Sequence, residues 1–121
     1  MCAAQPFAPV AGADDQYVAF YSPTRNISCE LDYQRGDMPD VAYCQSDSPP
    51  ASVRMDRTGA LSICRGETCL GNAAPGTPVL GYGQTMGTGP FSCASEESGV
   101  TCTVTSGRGF VISSSGITSA G

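Results

Sequence analysis

The sequence contains no histidine, no tryptophan and no lysine among its 121 residues. Without histidine, neither a Ser-His-Asp triad nor a Cys-His pair has its base, so catalysis built on those groups is excluded. Six arginines stand against 11 carboxylates, which gives a formal charge of −5. That balance argues against a nucleic-acid partner, because phosphate binding needs a basic face. Apolar runs also stay short of the roughly 18 residues that a membrane-spanning helix needs.

Cysteine, in contrast, is abundant, with seven residues in one short chain. Cysteine-dense small domains are typical of oxidising compartments, where disulfides compensate for a thin core. A zinc site is the alternative, but all-cysteine sites usually contain paired CxxC motifs, and Cys64 and Cys69 are separated by four residues. The count therefore predicts disulfides, no metal and no cofactor, in an exported protein whose signal peptide has been removed.

Secondary structure is predicted from short segments that alternate apolar and polar residues, a period typical of half-buried strands. No segment keeps a helical period for three turns, and nine prolines and 15 glycines are spread along the chain. We therefore expect an all-β fold: one small antiparallel domain over residues 16–121, a sandwich or a barrel-like arrangement. The predicted strands cover residues 16–21, 27–33, 41–45, 53–56, 60–64, 91–93, 100–104 and 110–112.

The clearest hairpin in the sequence lies within residues 89–113, where Cys93 and Cys102 face each other across a polar loop. Residues 27–45 have the same layout, a strand with a cysteine at its third position and a return strand with a second cysteine. Six cysteines allow fifteen pairings, and this internal repetition favours one of them. The predicted disulfides are Cys29–Cys44, Cys93–Cys102 and, from the remaining two residues, Cys64–Cys69.

Residues 1–15 contain Ala, Pro, Gly and Asp without periodicity, and we predict a flexible tether or arm. The seventh cysteine, Cys2, lies in this arm. A cysteine at a mature N-terminus followed by a small-residue, proline-containing linker is typical of a bacterial lipoprotein, so Cys2 is a candidate lipidation site. A free or intermolecular thiol is the alternative.

Residues 20–29 (FYSPTRNISC), 79–83 (VLGYG), 91–95 (FSCAS), 99–102 (GVTC) and 107–113 (GRGFVIS) resemble a family pattern. The resemblance is to small secreted or lipid-anchored actinobacterial cysteine-rich proteins without an assigned function. It covers residues 20–113 and implies export and a β-rich domain, but it supplies no substrate. The family pattern has GHGF where this chain has GRGF, so Arg108 replaces a histidine. That difference makes an enzymatic activity common to the family harder to assume.

The carboxylates fall mostly in predicted loops, where solvated side chains are usual, and we predict that the protein is not an enzyme. The favoured function is a cell-envelope lipoprotein, anchored at the outer face of the cytoplasmic membrane, that docks as an accessory module on a membrane protein complex or another envelope protein. A secreted carrier of a small apolar ligand or lipid is the alternative. Aromatic residues and arginine anchor interfaces, and apolar residues of the arm join them as candidates. The candidate contact residues are Phe7, Pro9, Val10, Tyr33, Tyr82 and Arg108.

Overall fold

The structure, a computed structural model, describes residues 16–121. These residues form ten strands and one short 3-10 turn at Glu67–Cys69. Among them, no helix is long and apolar enough to cross a membrane. The strands are β1 (Tyr17–Tyr21), β2 (Ile27–Asp32), β3 (Val41–Ser46), β4 (Ala51–Met55), β5 (Leu61–Arg65), β6 (Thr85–Thr88), β7 (Phe91–Glu96), β8 (Gly99–Thr103), β9 (Gly109–Ser113) and β10 (Gly116–Ala120).

The strands form two antiparallel sheets, in the orders β1-β2-β3-β4-β5 and β10-β9-β8-β7-β6. Each sheet is a meander in which every strand pairs with its neighbour in sequence. The two sheets face each other, with β1 against β6, β3 against β9 and β4 against β10. The all-β fold predicted from the sequence is confirmed, and of the two predicted arrangements the structure has the sandwich.

The core lies between the sheets and is filled by side chains that alternate along the strands. Phe20, Leu31 and Met55 from the first sheet, and Phe110 and Ile112 from the second, are fully buried. The cysteines add to this layer, because Cys29 and Cys44 lie opposite each other on β2 and β3, and Cys93 and Cys102 do so on β7 and β8. Burial of both inner faces accounts for the period-two pattern of the sequence.

The disulfides of the structure join the same pairs that the sequence predicts: Cys29–Cys44, Cys64–Cys69 and Cys93–Cys102. The internal repetition also has a structural counterpart. In chain order, the disulfide of each meander joins its second strand to its third. Cys44 and Cys102, both on the third strand, are therefore equivalent residues of the two halves.

Two strands were not predicted from the sequence, β6 (TMGT) and β10 (GITSA). Each contains a glycine and other small residues, so the alternation of large apolar and polar side chains that marks a strand is weak in the sequence. They are extended because β7 and β9 supply ladder partners for them. The turn between β7 and β8 is also tighter than expected, since only residues 97 and 98 separate the two strands.

The chain passes from the first sheet to the second through residues 66–84, which we call the crossing segment. It leaves β5 at one edge of the first sheet and reaches β1 at the other edge. There the Tyr21 N–H donates to Pro78 O at 2.8 Å and the Leu80 N–H donates to Tyr21 O at 2.9 Å. The outer edge of β1 is thereby bridged at Tyr21, whereas no described strand pairs with the outer edge of β5.

Candidate binding face

The outer faces of the two sheets differ in chemistry. Outward positions of the second sheet carry small residues, such as Ser92, Ala94 and Thr101. Outward positions of the first sheet carry aromatic, acidic and basic side chains, among them Tyr43 and Arg54. We therefore describe the outer face of the first sheet, together with the loops at its rim, as the candidate binding face.

Tyrosine and arginine are paired on this face and its rim. Four of the five tyrosines have a guanidinium over the ring, and four of the six arginines take part. Each of these rings is half-buried, so its apolar body is partly covered while an edge remains at the surface. The pairs, with the distance from Cζ to the ring centroid, are Arg35 and Tyr17 (4.5 Å), Arg25 and Tyr21 (4.8 Å), Arg54 and Tyr43 (5.5 Å), and Arg57 and Tyr33 (6.0 Å).

Two carboxyl groups lie side by side on β2, where Glu30 and Asp32 occupy successive outward positions. Asp32 is 3% exposed and forms an ion pair with Arg35. Burial first, and then the hydrogen bond and negative charge of Asp32, raise the pKa of Glu30 to about 7, against the opposing charges of Arg35 and Arg54. Glu30 is therefore partly protonated near neutral pH, and the face carries less negative charge than its composition suggests.

The crossing segment covers one side of this face. Cys64–Cys69 fixes its first residues to β5. The Tyr43 hydroxyl donates to Gln45 Oε1 at 2.7 Å and lies 3.2 Å from the carbonyl oxygen of Cys69. Gln45 bonds to Gly71 in both directions, with Nε2 donating to the carbonyl oxygen at 2.8 Å and Oε1 accepting from the N–H at 2.9 Å. Gln45 is buried, so these bonds satisfy a polar group that would otherwise be costly.

Two clefts flank Glu30. One, of about 60 Å³, lies between the sheet and the crossing segment and is bordered by Tyr17, Glu30 and Tyr43. The other, of about 210 Å³, is bordered by Glu30, Asp32, Met38 and Arg54. Both are open to solvent and bordered by the Glu30 carboxyl group, and the larger one also has Asp32 and Arg54 in its wall, so they suit polar groups of a partner rather than an apolar ligand.

The contact residues predicted from the sequence do not form one surface. Tyr33 and Arg108 lie at one end of the sandwich, where Tyr33 packs on Gly89 and Arg108 Nη1 donates to Thr58 O at 3.3 Å. Tyr82, which is 45% exposed, lies at the opposite end. There it borders a depression of about 310 Å³ together with residues of the β1–β2 and β3–β4 turns. Four further predictions, lipidation at Cys2 and contacts by Phe7, Pro9 and Val10, fall on residues outside the described part of the chain.

Apart from Tyr33 at the rim, sequence reasoning missed the residues of the candidate binding face. Glu30 and Tyr43 were within predicted strands, and the alternation already placed them on the face opposite the cysteines. A signal was therefore present, since a tyrosine and a carboxylate at outward positions of neighbouring strands indicate a polar-aromatic surface. Asp32 follows Glu30 by two residues on the same predicted strand, whereas Arg54 is brought beside Tyr43 by strand pairing, which the sequence does not reveal directly.

The fold and this face define a small, disulfide-bonded β-sandwich protein with a face rich in tyrosine and arginine. The chain belongs to DUF6636, a family of unknown function, which matches residues 32–118. No curated protein and no solved structure matched the chain. The segment 20–29, the first of those that resemble the secreted cysteine-rich proteins, lies before the matched range.

Proposed function

We propose that this protein is a non-enzymatic accessory module of the cell envelope that docks on a membrane protein complex or another envelope protein. The contact surface of the proposal is the candidate binding face. Cys2 would carry a lipid anchor that holds the protein at the outer face of the cytoplasmic membrane. The proposal includes an actinobacterial origin, which is supported by the resemblance of the motifs at residues 20–113.

The observation that carries the proposal is the set of tyrosine–arginine pairs. Tyrosine and arginine are enriched at protein interfaces because each combines a large contact area with directional polar groups. Here Arg35 is held by Asp32 and Tyr43 by Gln45, so part of the face is ordered before any partner arrives. Pre-organised side chains lose less conformational entropy on binding, which favours a docking surface.

The carboxyl pair supports a binding role over a catalytic one. Glycosidase carboxyl groups stand about 5 Å or more apart across a substrate cleft. Glu30 and Asp32 instead lie side by side on one strand, where Asp32 raises the pKa of Glu30, and Asp32 is occupied by Arg35. Neither group is therefore placed to act as an independent acid or base.

Export is supported by the three disulfides, which are typical of oxidising compartments. The lipid anchor is supported by the sequence of the arm alone. Mass spectrometry of native protein tests it directly, because acylation adds the mass of the lipid to the N-terminal peptide. An unmodified thiol at Cys2 in native material contradicts the anchor but not the docking face.

The docking face is tested by purifying tagged, signal-bearing protein from its own host's membranes in mild detergent. We compare the wild type with Arg54→Ala, which removes the guanidinium over Tyr43, and with Arg65→Ala as a matched control. Arg65 is an exposed arginine on the neighbouring strand β5, so both variants make the same charge change.

We expect a partner at stoichiometric amounts with the wild type and with Arg65→Ala. Arg54→Ala should retain at least about tenfold less of the partner, because truncating a dominant interface anchor typically costs about 2 kcal/mol or more. Elution of the wild type alone contradicts the docking function. Equal retention by both variants contradicts the assignment of the face.

A further inference from the structure

The two disulfides of the core touch each other. Cys44 Sγ lies 3.7 Å from Cys102 Sγ, although 58 residues separate them in sequence. Cys44 and Cys102 are completely buried, and the sulfurs of Cys29, Cys44 and Cys102 all lie within 4.8 Å of one another. Two bonds that each hold one sheet together therefore meet at the interface between the sheets.

This contact places the sulfurs where thiol–disulfide exchange begins. Exchange occurs when a thiolate attacks one sulfur of a disulfide and displaces the other. A bonded pair of sulfurs is about 2.0 Å apart, so Cys44 and Cys102 need to approach by only about 1.7 Å. We propose that the four core cysteines form one thiol–disulfide exchange unit whose second pairing is Cys44–Cys102, a covalent bridge between the two sheets.

The reaction starts with a dithiol reductant, either a small molecule or a protein dithiol. One thiolate of the reductant attacks Cys29 Sγ, the Cys29–Cys44 bond breaks, and its electron pair leaves on Cys44. The second thiol of the reductant then releases Cys29 as a thiol, and the reductant becomes a disulfide. Cys29 is 4% exposed whereas Cys44, Cys93 and Cys102 are completely buried, so the Cys29–Cys44 bond is the core disulfide that the reductant reaches first.

The relay step follows inside the core. The Cys44 thiolate attacks Cys102 Sγ, a Cys44–Cys102 bond forms, and the Cys93–Cys102 bond breaks. Its electron pair leaves on Cys93, which takes up a proton. The core of the product has one disulfide, Cys44–Cys102, and thiols at Cys29 and Cys93. Two disulfides that each lie within a sheet are thus replaced by one disulfide between the two sheets.

Single substitutions test the relay without any reductant. In a Cys2→Ser background, Cys29→Ser leaves the Cys44 thiol facing the intact Cys93–Cys102 bond. Cys93→Ser is the mirror variant, because it leaves the Cys102 thiol facing Cys29–Cys44. Cys64→Ser is the matched control, since its remaining thiol, Cys69, belongs to the disulfide outside the core. Thiols are trapped by acid quench and alkylation, and bridges are mapped by mass spectrometry.

We expect the Cys44–Cys102 bridge in both core variants, with the alkylated thiol at Cys93 in Cys29→Ser and at Cys29 in Cys93→Ser. The bridge should be present in about a tenth of the molecules or more, because the exchange replaces one cysteine–cysteine disulfide by another bond of the same type. The control should keep its thiol at Cys69. Thiols that remain at Cys44 and Cys102, with the neighbouring disulfides intact, overturn the proposal.

Random oxidation is distinguishable from the relay. In an unfolded chain, loop closure falls with the 3/2 power of length, so the 9-residue pairing outcompetes the 58-residue pairing by roughly 16-fold. Denatured and re-oxidised Cys29→Ser should therefore form Cys93–Cys102. If both core variants fail to fold, partial reduction of the wild type with dithiothreitol tests whether the Cys44–Cys102 bridge forms. A one-disulfide core species with Cys44–Cys102 supports the relay, and one with only the original pairs overturns it.

Discussion

The ring of Tyr33 lies directly on the backbone of Gly89, which joins the loop after β2 to the turn between β6 and β7. Arg57 covers the ring at 6.0 Å. Tyr33 therefore links the two sheets at one end of the sandwich. Tyr33 thus has a packing role between the sheets in addition to its place in one of the four tyrosine–arginine pairs.

A side chain at position 89 should disrupt this contact. A Cβ added to Gly89 would overlap the Tyr33 ring, and Gly89 also has a φ of +58°. We expect Gly89→Ala to lower the free energy of unfolding by about 2–4 kcal/mol, the sum of the backbone and packing penalties. Gly36→Ala is the matched control, because Gly36 has a φ of +56° with open space around it.

Urea unfolding of both variants separates the two penalties. Gly36→Ala should cost about 1 kcal/mol, the backbone penalty alone. Equal losses in the two variants would show that the Tyr33 ring moves aside without cost.

The raised pKa of Glu30 predicts a pH-dependent stability. Since the folded pKa is about 7 and the ordinary value is 4.5, the folded protein binds more protons than the unfolded chain between those values. The stabilisation by protonated Glu30 is fully present below pH 4.5 and is lost as the pH rises through 7. Glu30 is only half-buried, so solvent screening reduces the expected fall to about 1–2 kcal/mol.

Urea unfolding between pH 4.5 and 8.5 measures this fall. The chain has no histidine, which removes the side chain that ordinarily titrates in this window. The lowered pKa of Asp56, caused by hydrogen bonds from Thr58 and Ala60, acts at more acidic pH. Glu30→Gln should flatten the profile, and Glu96→Gln, at an exposed position of β7, should leave it unchanged. A fall that persists in Glu30→Gln would assign it to another group.

Much of the fold follows from local sequence patterns, whereas the candidate site follows from them only in part. The cysteine pairs were predictable because Cys29 and Cys44, like Cys93 and Cys102, belong to hairpins that are short in sequence. The contact between Cys44 and Cys102 was not, because the packing of one sheet on the other leaves no periodic signal. The path of residues 66–84 was also unpredictable, since it depends on single hydrogen bonds to side chains far away in sequence.

Gln45 should control the attachment of the crossing segment. Gln45→Leu keeps the volume but removes both bonds to Gly71 and the bond from Tyr43. We expect a loss of about 1–2 kcal/mol in unfolding free energy and faster hydrogen exchange in residues 66–78, because the freed groups of Gly71 turn to water. Exchange mass spectrometry reports on that segment directly.

Gln84→Leu is the control for this prediction. Gln84 Oε1 accepts from the Gly81 N–H at 2.8 Å, a bond within a single turn of the same segment. This variant should leave exchange in residues 66–78 unchanged. Unchanged protection in Gln45→Leu as well would mean that Cys64–Cys69 and the bridge at Val79 suffice to hold the segment.

Val53 and Ile63 are direct partners on β4 and β5, yet their environments differ. Val53 is completely buried, whereas Ile63 is 39% exposed at the uncovered edge of the first sheet. Val53→Ala should therefore cost about 2 kcal/mol and Ile63→Ala less than about 1 kcal/mol in urea unfolding, because the buried side chain gives up more apolar packing when it is truncated. Equal costs at the two positions would contradict this difference in burial.

The uncovered outer edge of β5 predicts that copies of the protein associate through this strand. The Gly66 N–H donates to Pro50 O, and the Asp56 N–H donates to Ala60 O. In an antiparallel ladder this register leaves the backbone groups of Leu61, Ile63 and Arg65 pointing away from β4. Exposed edges of this kind pair with other chains unless a charge interrupts them.

Ile63→Lys should therefore slow aggregation measured by light scattering at high protein concentration, with less than about 1 kcal/mol lost in unfolding free energy. Thr101→Lys, at a half-buried outward position of β8 within the second sheet, makes the same charge change away from this edge. Because both variants add one positive charge, only the position of that charge distinguishes them. Equal slowing by both variants would assign the effect to net charge instead of to the β5 edge.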